Sequence, residues 1–184
     1  MKTLILSSIT LLFAGAISGR VSAQGQPVAA KEKMKVFASW PGHWQGEGSM
    51  QMGPGDPHHS AVDERIESKL DGTVMLIEGI GKSIDPATHK ERISHHALGI
   101  VSFDAVSGKY KFNSFLQDGR STDAWLIVVA DNRFQWGFET DRGKMRYNIT
   151  LDPVKKTWNE RGEFSTDGNE WKQFFEMNLT KVED

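Results

Sequence analysis

The chain has 184 residues, long enough for one domain with its own core, with 22 basic and 24 acidic residues and no cysteine. No basic stripe is available to neutralise phosphates, so nucleic acid is excluded as an expected partner. Without cysteine there is neither a disulfide to staple the fold nor a lipid-bearing thiol to anchor it, and packing alone must hold the structure.

Residues 1–23 have the build of a secretory signal. Lys2 gives the positive start, Leu4 to Ile17 the apolar run, and Val21-Ser22-Ala23 a small-residue cleavage site. The run is short for a membrane span and Arg20 follows it, so cleavage is expected and no stable membrane anchor remains. Cleavage would leave 20 basic against 24 acidic residues, a net charge of −4. The expected location is outside the cytoplasm, periplasmic or secreted.

Residues 24–39 form a lead-in and a short helix. Lys31 to Ser39 places Met34, Phe37 and Ala38 on one side, and Pro41 stops it. Such a helix could cap a barrel mouth or lie as a loose arm. Residues 40–184 then alternate β-rich runs with turn signals. Gly53 to Pro57 is a loop. Strands are predicted over Ala61–Leu70, Thr73–Lys82, Arg92–Asp104, Lys109–Gln117, Ser121–Ala130, Arg133–Thr140, Lys144–Leu151, Thr157–Thr166 and Asn169–Lys181. Asp71-Gly72, Asp118-Gly119 and Asp167-Gly168 are hairpin signals. With the strand opening near Trp44, this is an all-β chain of about ten antiparallel strands in up-and-down order. Ala124 to Val129 is apolar on both faces, which favours closure into a barrel over an open sheet with wet edges.

The opening stretch Gly42-His43-Trp44-Gln45-Gly46-Glu47-Gly48 carries the structural motif. Glycines at 42, 46 and 48 permit bends and close backbone approach, and Trp44 supplies a ring to fill the barrel floor. Gly-x-Trp at a first strand resembles the calycin barrels, which include lipocalins. The longer run resembles the opening of nitrobindin-like barrels. Together with Leu98-Gly99 to Phe103-Asp104, Lys109-Tyr110 and Asp167-Gly168…Trp171…Phe175-Glu176, it is similar to a bacterial exported family of unknown function with such a barrel. The resemblance implies a calycin-like fold and no particular chemistry. Nitrobindin binds haem through a histidine near its C-terminal strand. This chain has no histidine after His96, so haem held that way is not expected and no cofactor is assigned.

Alternation suggests which side chains face inward. Apolar rows form at Tyr110, Phe112, Ser114 and Leu116, at Phe134, Trp136 and Phe138, and at Met145, Tyr147, Ile149 and Leu151. A further row runs through Trp171, Gln173, Phe175, Met177 and Leu179. Glu78 shares a row with Val74, Leu76 and Ile80, Glu160 with Trp158 and Phe164, Glu64 with Val62 and Ile66, and His95 with Ala97 and Val101. The expected ligand-binding set is therefore Glu78, His95, Tyr110, Phe112, Phe134, Trp136, Tyr147, Glu160, Trp171, Gln173 and Phe175. Aromatic walls with a few polar groups suit a small hydrophobic ligand. The alternatives are an enzyme of isomerase or lyase type using inward His and Glu, or an envelope protein that binds a partner or serves as structure. No metal is assigned: His58 and His59, with Asp56 and Asp63 near, lie in a polar loop where solvated histidines are the ordinary case. The sequence does not define an oligomeric state.

Overall fold

A computed structural model describes residues 25–183. The signal segment expected over residues 1–23 lies outside the described residues. A helix, α1 (Gly25–Met34), tightens into one 3₁₀ turn (Lys35–Phe37). Ten strands follow: β1 (Gly42–Met50), β2 (His58–Lys69), β3 (Val74–Ile84), β4 (Glu91–Asp104), β5 (Lys109–Leu116), β6 (Ser121–Ala130), β7 (Arg133–Thr140), β8 (Gly143–Asp152), β9 (Thr157–Ser165) and β10 (Lys172–Val182). Each strand pairs with its neighbours in the chain, and β1 pairs antiparallel with β10 from His43↔Val182 to Met50↔Phe175. The sheet is thus a closed barrel without a free edge, as the unbroken meander predicts.

The connections follow from short polar side chains. Asp85, Asp104, Asp118, Asp152 and Asp167 each accept a backbone N–H from two residues on, which bends the chain back without a longer loop. The turn at Asp71-Gly72 differs from the two-residue hairpin expected there. Leu70, Asp71 and Gly72 all have positive φ, at 49°, 57° and 86°, so the turn takes three residues.

One end of the barrel is plugged. The helix and 3₁₀ turn begin and end earlier than the sequence pattern suggests, yet they seal the floor. Met34 and Phe37 are 1% and 0% exposed. Burying side chains of this size contributes roughly 1.5–3 kcal/mol each. Ala38, expected on the same face, is exposed, because the 3₁₀ turn advances the chain faster per residue than an α-turn. Trp40 packs edge-on against Phe37, Phe134 and Trp158, with ring centroids 4.8, 5.0 and 4.8 Å apart. Its carbonyl accepts the Trp44 indole N–H at 2.8 Å. The floor-filling role of Trp44 is therefore tied directly to the plug. The Tyr110 hydroxyl bonds the Lys33 carbonyl at 2.9 Å and fastens the helix to β5.

The outer row of β6 is unusual. Trp125, Ile127 and Val129 are exposed, while Ala124 and Leu126 are buried inside. Apolarity on both faces favours closure, but here the outer face carries no cover among the described residues.

Candidate functional site

Opposite the plug, the barrel ends in the connections 51–57, 85–90, 117–120, 141–142 and 166–171. Depth along the strands changes what the inward side chains do. Near the plug, Phe134, Ile149, Leu151, Trp158 and Leu179 are buried. Higher up, Val62, Phe112, Trp136 and Phe175 pack on this core but remain partly exposed, as does Tyr147. Inward-facing side chains can be exposed only if the interior is open from that end.

The rings there form one connected wall. Trp136 and Tyr147 are paired across β7 and β8 and stack at 4.0 Å between centroids, 5° from parallel. Phe112 meets Trp136 edge-on at 4.7 Å, and Phe175 meets Tyr147 at 5.9 Å. Two glycines make this wall possible. A Cβ on Gly99 would stand 2.7 Å from the Phe112 ring, and one on Gly162 would stand 2.8 Å from the Tyr147 ring and 2.9 Å from Phe175. Any side chain at either position would push the aromatic beside it out of place.

Two carboxyls stand on the inward rows of the same barrel. Glu160 on β9 is 7% exposed and accepts indole N–H bonds from Trp136 at 2.8 Å and Trp158 at 3.4 Å. Glu64 on β2 packs over Gly79 and is half-buried. Its Oε2 is sealed from solvent and has no hydrogen-bond partner. Burial is the main cause that pushes the Glu64 carboxyl up from its ordinary value to about 8, and the negative charge of Glu160 adds to it. Burial likewise pushes Glu160 up to about 7, against the pull of its two indole donors. Both carboxyls are thus raised toward neutral pH, and the charge of one disfavours ionisation of the other. Burial and the Glu160 charge also push the Tyr147 hydroxyl above its ordinary value, which places Tyr147 by the same acid.

The expected site residues divide by place. Tyr110, Phe112, Phe134, Trp136, Tyr147, Glu160 and Phe175 belong to the inward rows. Phe134 is wholly in the floor, and Tyr110 is committed to the helix by its hydroxyl. His95 is on the inward row beside Gly81 but is exposed at the rim. Three residues point outward. On β3 the buried row is Met75 and Ile77, so Glu78 stands on the outer wall and bonds His96 at 2.9 Å. On β10 the register slips between Gln173 and Phe175, where Phe174 is inserted and buried. That bulge turns Gln173 outward onto Glu176, and Trp171 lies outside under the Arg146 guanidinium at 3.9 Å. Glu64 was legible only as an inward acid in the row of Val62 and Ile66. Nothing in the sequence marks it as a neighbour of Glu160, because only the β2-β1-β10-β9 closure brings the two within electrostatic reach.

Two grooves lie away from the acids. One of about 240 Å³ runs along Trp125, Arg146 and Trp171, and one of about 440 Å³ along His59, Lys82 and Glu91. Neither is lined by Glu64 or Glu160. Among the described residues no three His, Asp or Glu are grouped to hold a metal ion, and no helix is long and apolar enough to cross a membrane.

A closed ten-stranded antiparallel barrel, plugged by an N-terminal helix at one end and open at the other, defines a calycin-like barrel. Solved structures support that class. The chain is similar to Rv2717c from M. tuberculosis, with TM-score 0.57 and 8% identity over 82% of this chain and 97% of that one. It is also similar to the S-type phycobiliprotein lyase CPES from Guillardia theta, with TM-score 0.55 and 12% identity over 84% of this chain and 94% of that one. At these identities the likeness is one of fold. No protein-family model matches the sequence, and no curated protein matches it.

Proposed function

We propose that this protein is an exported binding protein that holds a small, largely apolar molecule in the open half of the barrel. The observation that carries this is the partial exposure of Phe112, Trp136, Tyr147 and Phe175 above a sealed floor. Apolar rings pointing into a space that solvent reaches are costly to keep wet, and an apolar guest relieves that cost. The site set supporting the reading is Phe112, Trp136, Tyr147, Glu160 and Phe175, joined by Glu64. His95 stands at the entrance. Export rests on the signal-like segment over residues 1–23.

A specific observation also favours the enzyme reading: two inward carboxyls raised to about 8 and about 7 are poised for proton transfer near neutral pH. Turnover lost in Glu160→Gln while ligand is still bound would mark the chain as that enzyme.

Native mass spectrometry of the protein recovered from its own host tests export and binding together. The expected spectrum shows a polypeptide starting near Gln24 with a small molecule bound. A full-length chain contradicts export. A chain that stays empty in that preparation contradicts a resident ligand.

A further inference from the structure

The charge that acts on the Glu64 carboxyl is that of another acid, Glu160, and Glu160 itself accepts from two indole N–H groups. Glu160 is faced by Trp136 on β7, Trp158 on β9 and Tyr147 on β8. Glu64 lies over Gly79 on β3 and opposite Trp44 on β1, and Lys181 on β10 is taken up by the Trp44 ring, its Nζ 5.2 Å from the centroid. Carboxyls taken out of water are ordinarily paired with a cation or fully hydrogen-bonded, since an unmatched one costs several kcal/mol. Glu160 comes near that condition. Glu64 does not, because its sealed Oε2 is bonded to nothing. An orphaned acceptor within electrostatic reach of a second acid, in a barrel whose wall carries aromatic faces, asks for a donor that carries positive charge. The faces of Trp136 and Tyr147 would attract the same group through their ring quadrupoles.

We propose that the ligand is an amphiphilic amine, an apolar body with one protonated nitrogen, seated with that nitrogen against Glu64 and Glu160 and its body along the aromatic wall. This rests on the binding reading given above. The proton balance is simple. The ammonium arrives charged, the two carboxyls meet it with a proton still held between them, and that proton passes to the buffer as both become anions. The Glu64 carboxyl turns its sealed Oε2 toward the nitrogen, whose N–H then supplies the bond it lacks. A fatty acid of the same length would bring a third negative charge into the cup and should be rejected.

The test uses three probes with one alkyl chain: decylamine, decanol and decanoate. Each is titrated calorimetrically into the whole exported protein, near neutral pH, in two buffers of different ionisation enthalpy. Decylamine is expected to bind about tenfold or more tighter than decanol, with decanoate weakest. Amine binding alone should release protons. In Glu64→Gln and in Glu160→Gln the ratio of amine to alcohol affinity should fall to about one. Near-UV circular dichroism checks that each variant is folded. If one is not, the amine-to-alcohol ratio of the wild-type protein decides. Equal binding of amine and alcohol overturns the amine proposal and leaves the apolar cup standing. Failure of all three probes to bind overturns the cup itself. An amine preference that survives in both folded variants overturns the assignment to these two acids.

Discussion

Trp40→Ala is expected to lower the free energy of unfolding by about 3–5 kcal/mol, read from urea denaturation. Trp40 is 2% exposed, touches three aromatic rings of the floor, and holds the indole of Trp44 through its carbonyl. Removing the ring leaves a void at the one place where the N-terminal segment, β1, β7 and β9 meet. Neighbouring side chains cannot collapse into it, because Phe37, Trp44 and Phe134 are already fully packed. Trp125→Ala is the matched control. Trp125 is 42% exposed on the outer wall, and its loss should cost under about 1 kcal/mol. Similar losses for the two variants would mean that the plug is not part of the cooperative core. One detail refines the expectation. The Trp40 indole N–H has no partner although it is buried, so Trp40→Phe should cost much less than Trp40→Ala.

The second large effect is a dependence of stability on pH that Glu64→Gln removes. The Glu64 carboxyl is raised in the folded protein from 4.5 to about 8. A folded-state value above the unfolded one means that folding favours the protonated group. Its contribution is therefore fully present below about pH 4.5 and is lost as pH rises through about 8. Wild-type stability should decline across that window by an amount on the order of 3–5 kcal/mol from this group. Glu64→Gln keeps the volume and cannot ionise, so it should be more stable than wild type at the alkaline end and no better at the acid end. Glu160, raised to about 7, leaves the variant a smaller slope of the same sign. Denaturant titrations of both proteins at a series of pH values check this. A stability difference that does not change with pH would show that the Glu64 carboxyl is solvated in the folded state.

Most strands and the places of the turns were legible in the sequence because alternation and Asp-Gly signals act locally, although His58 and His59, expected in a loop, open β2, and the turn at Asp71-Gly72 takes three residues. The runs Ser121–Ala130 and Arg133–Thr140 match β6 and β7 at both ends. The facing of side chains was legible where one row is aromatic and the other polar, as in Phe134, Trp136 and Phe138. It failed on β3, where Val74 to Ile77 is apolar on both faces and the inward row continues through Gly79 and Gly81. A row of glycines carries no hydrophobic signal, so Glu78 was placed inside. It failed again before the β10 bulge, since one extra residue reverses every side chain beyond it. The acid pair was half legible. Alternation turns both Glu64 and Glu160 inward, but only barrel closure brings β2 and β9 close enough for one charge to act on the other.

The central claim is that the open half of the barrel takes an apolar guest against the Trp136 wall. Its most direct test is a titration of wild-type protein and Trp136→Leu, side by side, with the uncharged fluorescent probe N-phenyl-1-naphthylamine. Saturable binding to wild type is expected, with quenching of tryptophan emission. Trp136→Leu should bind roughly threefold to tenfold more weakly while remaining folded by near-UV circular dichroism, although Glu160 loses one indole donor. Unquenched tryptophan with no saturable binding, or equal binding by both proteins, would contradict a ligand site on this wall.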